Sequence, residues 1–338
     1  MVPSSGLAVW AVCLVSCVVS AASSPVAAGL TAEGDDKTWT VAHNKYRCLH
    51  GGPYLTWNQW VADSAQEWSN KLKSGEESGH SKSYNLGPPQ GPAGENLAWG
   101  HRDQEHATSA WYNEYDLWIE TSQDSFSSGT GHFTAMVWKG VRQLGCGTAE
   151  RTYTCRYKAR DKMGKDTPNM GGGYTTQVPK RGSRSEKECE EEAEYIWYLV
   201  KNYTAELKEY CGSAQSAYIA AAQMYDEYAA QNITAPDNPA DQPIIARDWE
   251  RFTNALDISQ GDRARLLAIM DRSEDGEISN EEFMFVADDG VGAWKNNRLC
   301  SFGTGVDDTD LYSDSVRRAP LGLLSATIAL FSVGVWVS

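Results

Sequence analysis

The chain has 338 residues, with 30 Lys plus Arg against 45 Asp plus Glu, a formal charge of −15. Such acidity argues against a nucleic-acid partner, because phosphate binding needs a basic surface, and against simple electrostatic docking on anionic lipid. With 41% apolar residues and 13 Trp, disorder is excluded for most of the chain, and the length predicts two or three units of ordinary domain size.

No charged side chain precedes Glu33 or follows Arg318. At the start, an apolar run from Leu7 to Val19 is followed by Ser20-Ala21-Ala22, the pattern of a cleavable secretory signal over residues 1–22. From Thr38 to Leu72 the pattern is helical, with Val61, Ala65, Trp68 and Leu72 at spacings of three and four; Gly51-Gly52 and Pro53 split it into two helices. Residues 79–94 are rich in Gly, Pro and Ser and are predicted as a long loop. Helix resumes over His106–Ile119, with Ala110, Trp111, Tyr115 and Trp118 on one side. Phe133–Trp138, Gln143–Gly147, Thr152–Tyr157 and Gly173–Val178 are predicted as strands. This alternation defines a layered α/β domain over residues 35–180.

Composition then changes. Glu186–Tyr210 and Ala214–Ala230 are acidic, Tyr- and Ala-rich helical stretches separated at Cys211-Gly212, predicted as a helical acidic spacer over residues 184–235. Pro236, Pro239 and Pro243 mark a linker. An all-α region over 246–290 follows, then a linker over 291–315. The last segment, 316–338, is an uncharged apolar tail after Arg317-Arg318. Small residues, a short polar spacer and a terminal apolar tail fit a glycolipid-anchor signal; a terminal transmembrane helix is the alternative. Either way the body is expected in the secretory pathway and outside the cell, tethered to the membrane through this C-terminal anchor.

Cysteine usage agrees with that compartment. Cys48, Cys146, Cys155, Cys189, Cys211 and Cys300 remain once the signal is removed. An even set in a secreted chain predicts disulfides of open connectivity; Cys146 and Cys155 flank a strand–turn–strand that a disulfide would staple. Asn202 and Asn232 head glycan-acceptor sequons.

Four ordered segments carry a resemblance: His43-Asn44-Lys45-Tyr46-Arg47, Gly94-Glu95-Asn96-Leu97-Ala98, Trp111-Tyr112-Asn113-Glu114, and the octet Gly131-His132-Phe133-Thr134-Ala135-Met136-Val137-Trp138 followed by Leu144-Gly145-Cys146-Gly147. Together they resemble the CAP (SCP) superfamily of cysteine-rich secretory proteins, venom allergens and plant pathogenesis-related proteins. The resemblance implies a three-layer α–β–α sandwich whose cleft tetrad corresponds to His80, Glu95, Glu114 and His132. Glu95 is expected in the loop before Asn96, and His132 at the start of the octet strand. A second family signature begins at Tyr153-Thr154-Cys155-Arg156-Tyr157, but a charged stretch, Lys158–Thr167, replaces its tight turn.

Two imidazoles, His80 and His132, are able to bind Zn²⁺ through one nitrogen each, with the carboxylates orienting the rings; the alternative is a hydrogen-bonded network without an ion. Metal-assisted hydrolysis with a carboxylate base is one conceivable use of the tetrad. The chain has no HExxH, GxSxG or catalytic Cys–His signature, and the resemblance implies binding of lipid, sterol or protein ligands rather than a shared catalytic activity.

A second constellation is a twelve-residue loop, Asp271 to Glu282, with the pattern of an EF-hand. Asp271, Ser273 and Asp275 hold positions one, three and five; Gly276 turns the chain; Glu277 offers its carbonyl, Ser279 acts through water and Glu282 closes with both oxygens. Leu266, Leu267 and Met270 enter, and Phe283, Val286 and Ala287 leave, at helical spacing. The helices around Asp257–Gly261 are expected to form a degenerate partner hand. The whole reads as a secreted or surface-tethered binding protein with Ca²⁺ in the membrane-proximal part; a Ca²⁺-dependent adhesion or interaction protein is an alternative.

Overall fold

A computed structural model describes residues 35–222 and 243–291. The signal segment, Asn232, Cys300, the second linker from residue 292 and the C-terminal apolar tail lie outside the described residues.

Four strands, β1 (Thr56–Trp57), β2 (Ala93–Trp99), β3 (Gln143–Ala149) and β4 (Thr152–Lys158), form one mixed sheet in the order β1-β3-β4-β2. β1 runs parallel to β3, and the other pairs are antiparallel. Helix α2 (Gln59–Ser74) covers one face through β3 and β4, while α1 (Asp35–Leu49), α3 (Gln104–Tyr112) and α5 (Gly131–Val137) lie toward the other. Single turns of helix, α4 (Tyr115–Trp118) and α6 (Tyr174–Gln177), complete this α–β–α sandwich. Trp39, Trp111, Trp118, Phe133, Trp138, Tyr153 and Tyr157 fill its core.

Local chemistry sets these elements. Asn58 caps α2 by accepting from Val61 N–H, and Gly75 ends it at φ 75°, the left-handed conformation that glycine adopts without a Cβ penalty. The helix lies so close to β3 that a Cβ on Gly147 would sit 2.2 Å from Gln66 Cα, and one on Gly145 2.2 Å from the Ala62 nitrogen. Glycine at both positions therefore sets the helix–sheet distance. Opposite Cys146 in the β3–β4 register stands Cys155, and the two are disulfide-bonded.

Three expectations are corrected. Of the expected strand Phe133–Trp138, Phe133–Val137 lies in helix α5 and Trp138 follows its end; the run carries no periodicity that separates a buried strand from a buried helix. Gly173–Val178 is a helical turn after Gly173 at φ 85°. Glu95 stands inside β2 rather than in a loop, because the segment Ala93–Trp99 pairs antiparallel with β4, Glu95 opposite Arg156.

The acidic helix α7 (Glu186–Tyr210) starts at a Ser185/Glu188 capping box. It packs along α1, and Cys189 is disulfide-bonded to Cys48. Its Cys189 joins the sandwich core; Ile196, Tyr203 and Leu207 join a second core with α8 (Ala214–Ala222), α9 (Ala246–Ala255), α10 (Gln260–Met270) and α11 (Asn280–Ala287). This helical unit docks on the sheet: Gln143 Nε2 donates to Phe285 O (2.7 Å), Gln59 N to Asp289 O (2.7 Å) and Arg272 to Ala159 O (2.9 Å).

Replacing Gly147 by Ala forces α2 off the sheet, so the urea-unfolding stability should fall by about 1–3 kcal/mol or more. Gly164→Ala, at an exposed site with no atom within 4 Å of the added carbon, should leave the midpoint unchanged.

Candidate functional site

Helix α5 has 7 residues, too few to persist on propensity alone. Charged groups hold both its ends. At the N-terminus, Glu114 Oε2 accepts from the His132 and Phe133 backbone N–H groups (2.8 and 3.1 Å), and Oε1 accepts from His132 Nδ1 (2.5 Å). At the other end the fully buried Arg47 of α1 donates to the carbonyls of Met136, Trp138 and Val141 (2.8, 2.9 and 3.2 Å) and to Pro53 O (2.6 Å). Burial lowers its pKa to about 9, with the charge of Arg142 adding to the effect, so the guanidinium stays protonated at neutral pH. A carboxylate at the start and a cation at the end complement the helix dipole.

The other carboxylate is held still more tightly. Glu95 Oε1 accepts from His80 Nδ1 (3.1 Å) and Ser81 N (2.8 Å), while Oε2 accepts from Arg156 Nε (3.2 Å) and the Ser81 hydroxyl. Arg156 also donates to Ser81 Oγ (2.9 Å). Burial pushes the Glu95 carboxyl up, but the hydrogen bonds from His80 and Ser81 and the charge of Arg156 outweigh it and hold the group below its ordinary value. The Glu95 and Arg156 side chains are buried (2% and 4% exposed), whereas His80 and His132 remain open at 60% and 35%.

A buried relay backs this arrangement. Asn96 Nδ2 donates to His132 O (3.0 Å) and to Tyr157 Oη (2.9 Å). His43 Nδ1 lies 2.7 Å from Trp39 O, which only accepts, so Nδ1 carries the proton and Nε2 accepts from Tyr157 Oη at 3.0 Å. Burial lowers the His43 pKa to about 4 and that of His50, set between Pro179 O and Tyr112 Oη, to about 4.

The structure thus places the four expected residues as two His–Glu pairs, each imidazole held through Nδ1. Successive side chains of a strand point to opposite faces, so Glu95 with its pair, and Asn96 with the His132 backbone, flank the edge strand β2. Among the described residues no three His, Cys, Asp or Glu side chains converge to hold a metal. Glu95 and Glu114 engage Nδ1 of His80 and of His132, so each ring keeps Nε2 as its remaining nitrogen. Two imidazoles fall short of the four protein ligands of a closed structural zinc site.

Arg47, Ser81, Arg156 and Tyr157 carry as much of the geometry as the four predicted residues, and the motifs alone assign them no role. The signal for Arg156 is its position between Cys155 and Tyr157 in a predicted strand: a charge among buried neighbours needs a partner.

The loop from Asp271 to Glu282 joins α10 to α11. Gly276 has φ 85°. Asp271 Oδ2 accepts from Gly276 N (2.8 Å) and Oδ1 from Asp275 N (3.3 Å), while Asp275 Oδ1 accepts from Glu277 N (3.0 Å). Glu282 accepts at Oε1 from Arg272 N and Ser273 N (2.8 and 2.9 Å) and at Oε2 from Ser279 N (2.9 Å) and Ser279 Oγ (2.7 Å). Burial raises the Glu282 carboxyl, but these bonds bring it below its ordinary value. Ile278 exchanges two backbone hydrogen bonds of 2.9 Å with Ile244, so the segment paired with the loop precedes α9; the expected helices on either side of Asp257–Gly261 are α9 and α10.

Of the remaining marked residues, Cys48–Cys189 and Cys146–Cys155 are bonded pairs, and Cys211 is disulfide-bonded too. Asn202 is exposed on α7.

The family model for the cysteine-rich secretory protein family, CAP, matches residues 41–158, the span that holds the four strands and His80, Glu95, Glu114 and His132. Golgi-associated plant pathogenesis-related protein 1 of Homo sapiens is 41% identical over 110 residues, covering 32% of this chain and 68% of that protein. Two Candida albicans proteins, "Repressed by EFG1 protein 1" and "Secreted protein RBT4", are each 35% identical, over 127 and 144 residues. Those matches cover 36% and 40% of this chain but only 44% and 38% of the Candida proteins, so the chain spans less than half the length of either. The chain belongs to the CAP family.

Glu114→Ala leaves the His132 and Phe133 amides without their acceptor. Stability should fall by about 1–3 kcal/mol, and amide exchange at His132 and Phe133 should accelerate well beyond that of β3. The buried histidines set the acid limit. With folded-state values depressed to about 4 against about 6.5 unfolded, the unfolded chain binds more protons between those limits. Stability is therefore fully present above pH ~6.5 and falls as pH drops toward 4, by on the order of 3 kcal/mol per histidine. Denaturant midpoints across that range should show the slope, and His43→Gln should reduce it.

Proposed function

We propose that this is a secreted or surface-tethered CAP-domain binding protein whose cleft takes a lipid, sterol or protein ligand. The observation that carries this reading is the engagement of both carboxylates: Glu95 and Glu114 accept from imidazole, backbone and guanidinium donors, which leaves no free general base. An apolar rim supports it. Leu117, Ile119 and Phe126 are 44%, 49% and 61% exposed, with Phe126 against Gly131 and Leu117 against Gly129, beside His132. Secretion is supported by disulfides, which persist in oxidising compartments, and by the relative named a secreted protein; tethering rests on the apolar tail at 316–338. Purified protein should retain fluorescent sterol or fatty acid, and Leu117→Ser with Phe126→Ser should weaken retention. Turnover of ester or peptide substrates that disappears in His132→Ala would instead establish the metal-dependent hydrolase.

The Asp271–Glu282 loop supports a calcium function for the helical unit. Its donors are all oxygens, suited to a hard cation, and a Ser at the third position keeps the ligand charge low. Arg272 and Arg160 line the same cavity as Ser273, Asp275 and Glu282, which weakens cation binding further. Calorimetry should show one Ca²⁺ with Kd on the order of 10⁻⁴–10⁻³ M, lost in Glu282→Ala; no heat at millimolar Ca²⁺ would remove calcium from the account. Because Arg272 within the loop donates to Ala159 O, Ca²⁺-dependent partner capture through the CAP domain is the adhesion form of this reading.

A further inference from the structure

Beyond Trp99, the end of β2, the connector Gly100–Asp103 turns the chain into α3. Asp103 caps that helix, its Oδ1 accepting from His106 N at 2.8 Å. Arg151 and Tyr153 fix the connector by donating to His101 O, at 2.9 and 3.1 Å. The result is that the rings of His101 and His106 face one another. Their Nδ1 atoms are 2.9 Å apart, with ring centroids at 4.9 Å and planes tilted by 57°. At this separation two lone pairs repel and two protons clash. Either one Nδ1–H donates to the other nitrogen, or a cation takes both lone pairs.

We propose that His101 and His106 form a binding site for a divalent transition-metal ion of tetragonal preference, Cu²⁺ or Ni²⁺. Two imidazole nitrogens bound at about 2.0–2.1 Å and at right angles lie about 2.9 Å apart, whereas a tetrahedral angle would need about 3.3–3.4 Å. The observed spacing is that of neighbouring corners of a square. Ligation needs neutral rings, so metal and protons compete for the two nitrogens. Asp103 does not supply a third ligand, as Oδ1 is on His106 N and Oδ2 on Arg102 Nε (3.0 Å), so water fills the remaining positions. The site is separate from the Glu95 pair by the four residues from Glu95 to Trp99, about 14 Å of extended strand.

The test is titration of the full-length protein with Cu²⁺ at neutral pH in millimolar Ca²⁺, read by electron paramagnetic resonance. A tetragonal copper signal split by two nitrogens is expected at one equivalent. Both rings are at the surface, so His101→Ala and His106→Ala should fold normally by circular dichroism. Each should weaken binding at least tenfold and remove the two-nitrogen splitting, while His132→Ala keeps both. An unchanged spectrum and affinity in His101→Ala and His106→Ala would overturn the assignment, as would loss of the signal in His132→Ala alone.

Discussion

The site depends on a short helix held at both ends by charge. Arg47 lies fully buried beneath α5 and spends its donors on the carbonyls of Pro53, Met136, Trp138 and Val141. A buried cation is costly unless its hydrogen bonds are satisfied, and here the end of α5 and the loops beside it supply them. Glu114 does the same for the opposite end and, with its second oxygen, for the His132 ring. Removing either group exposes unpaired backbone in the middle of the sandwich. His132 is thus positioned by the same bonds that make the helix form.

From that clamp the organisation extends outward. Arg47 and Cys48 are neighbours on α1, and Cys48 is bonded to Cys189 of α7. One face of α1 therefore holds the cleft helix, and its outer side holds the long acidic helix. α7 in turn enters both hydrophobic cores, so the C-terminal helical unit is continuous with the CAP sandwich. The contacts of Phe285, Arg272 and Asp289 with β3, the end of β4 and the start of α2 place the Asp271–Glu282 loop against the inserted stretch after Lys158. The charged stretch after Lys158 is thus one of the places where the two units meet.

Much of this was legible in the sequence because it rests on local chemistry. Gly51-Gly52 and Pro53 do separate α1 from α2, Glu186–Tyr210 is helix α7, and Gly145 and Gly147 flank a cysteine that pairs across the hairpin. The failures share a cause. The run from Phe133 to Val137 is buried on all sides, so side-chain pattern could not separate helix from strand; long-range bonds from Arg47 and Glu114 decide it. β2 was hidden because Gly94-Glu95-Asn96 is poor in strand formers, and its pairing with β4 is a tertiary effect. Arg156 and Ser81, which determine the state of Glu95, lie 61 and 14 residues away from it in the chain, beyond any local rule.

The central claim is that Glu95 and Glu114 hold the imidazoles of His80 and His132 through Nδ1 and are not free bases. Long-range ¹H–¹⁵N NMR of the histidine rings tests it most directly. At a pH where the rings are neutral, the account predicts that both side chains are Nδ1–H tautomers with a pyridine-like Nε2 facing solvent. Nε2–H tautomers at His80 and His132, with the carboxylates released from the rings, would contradict it.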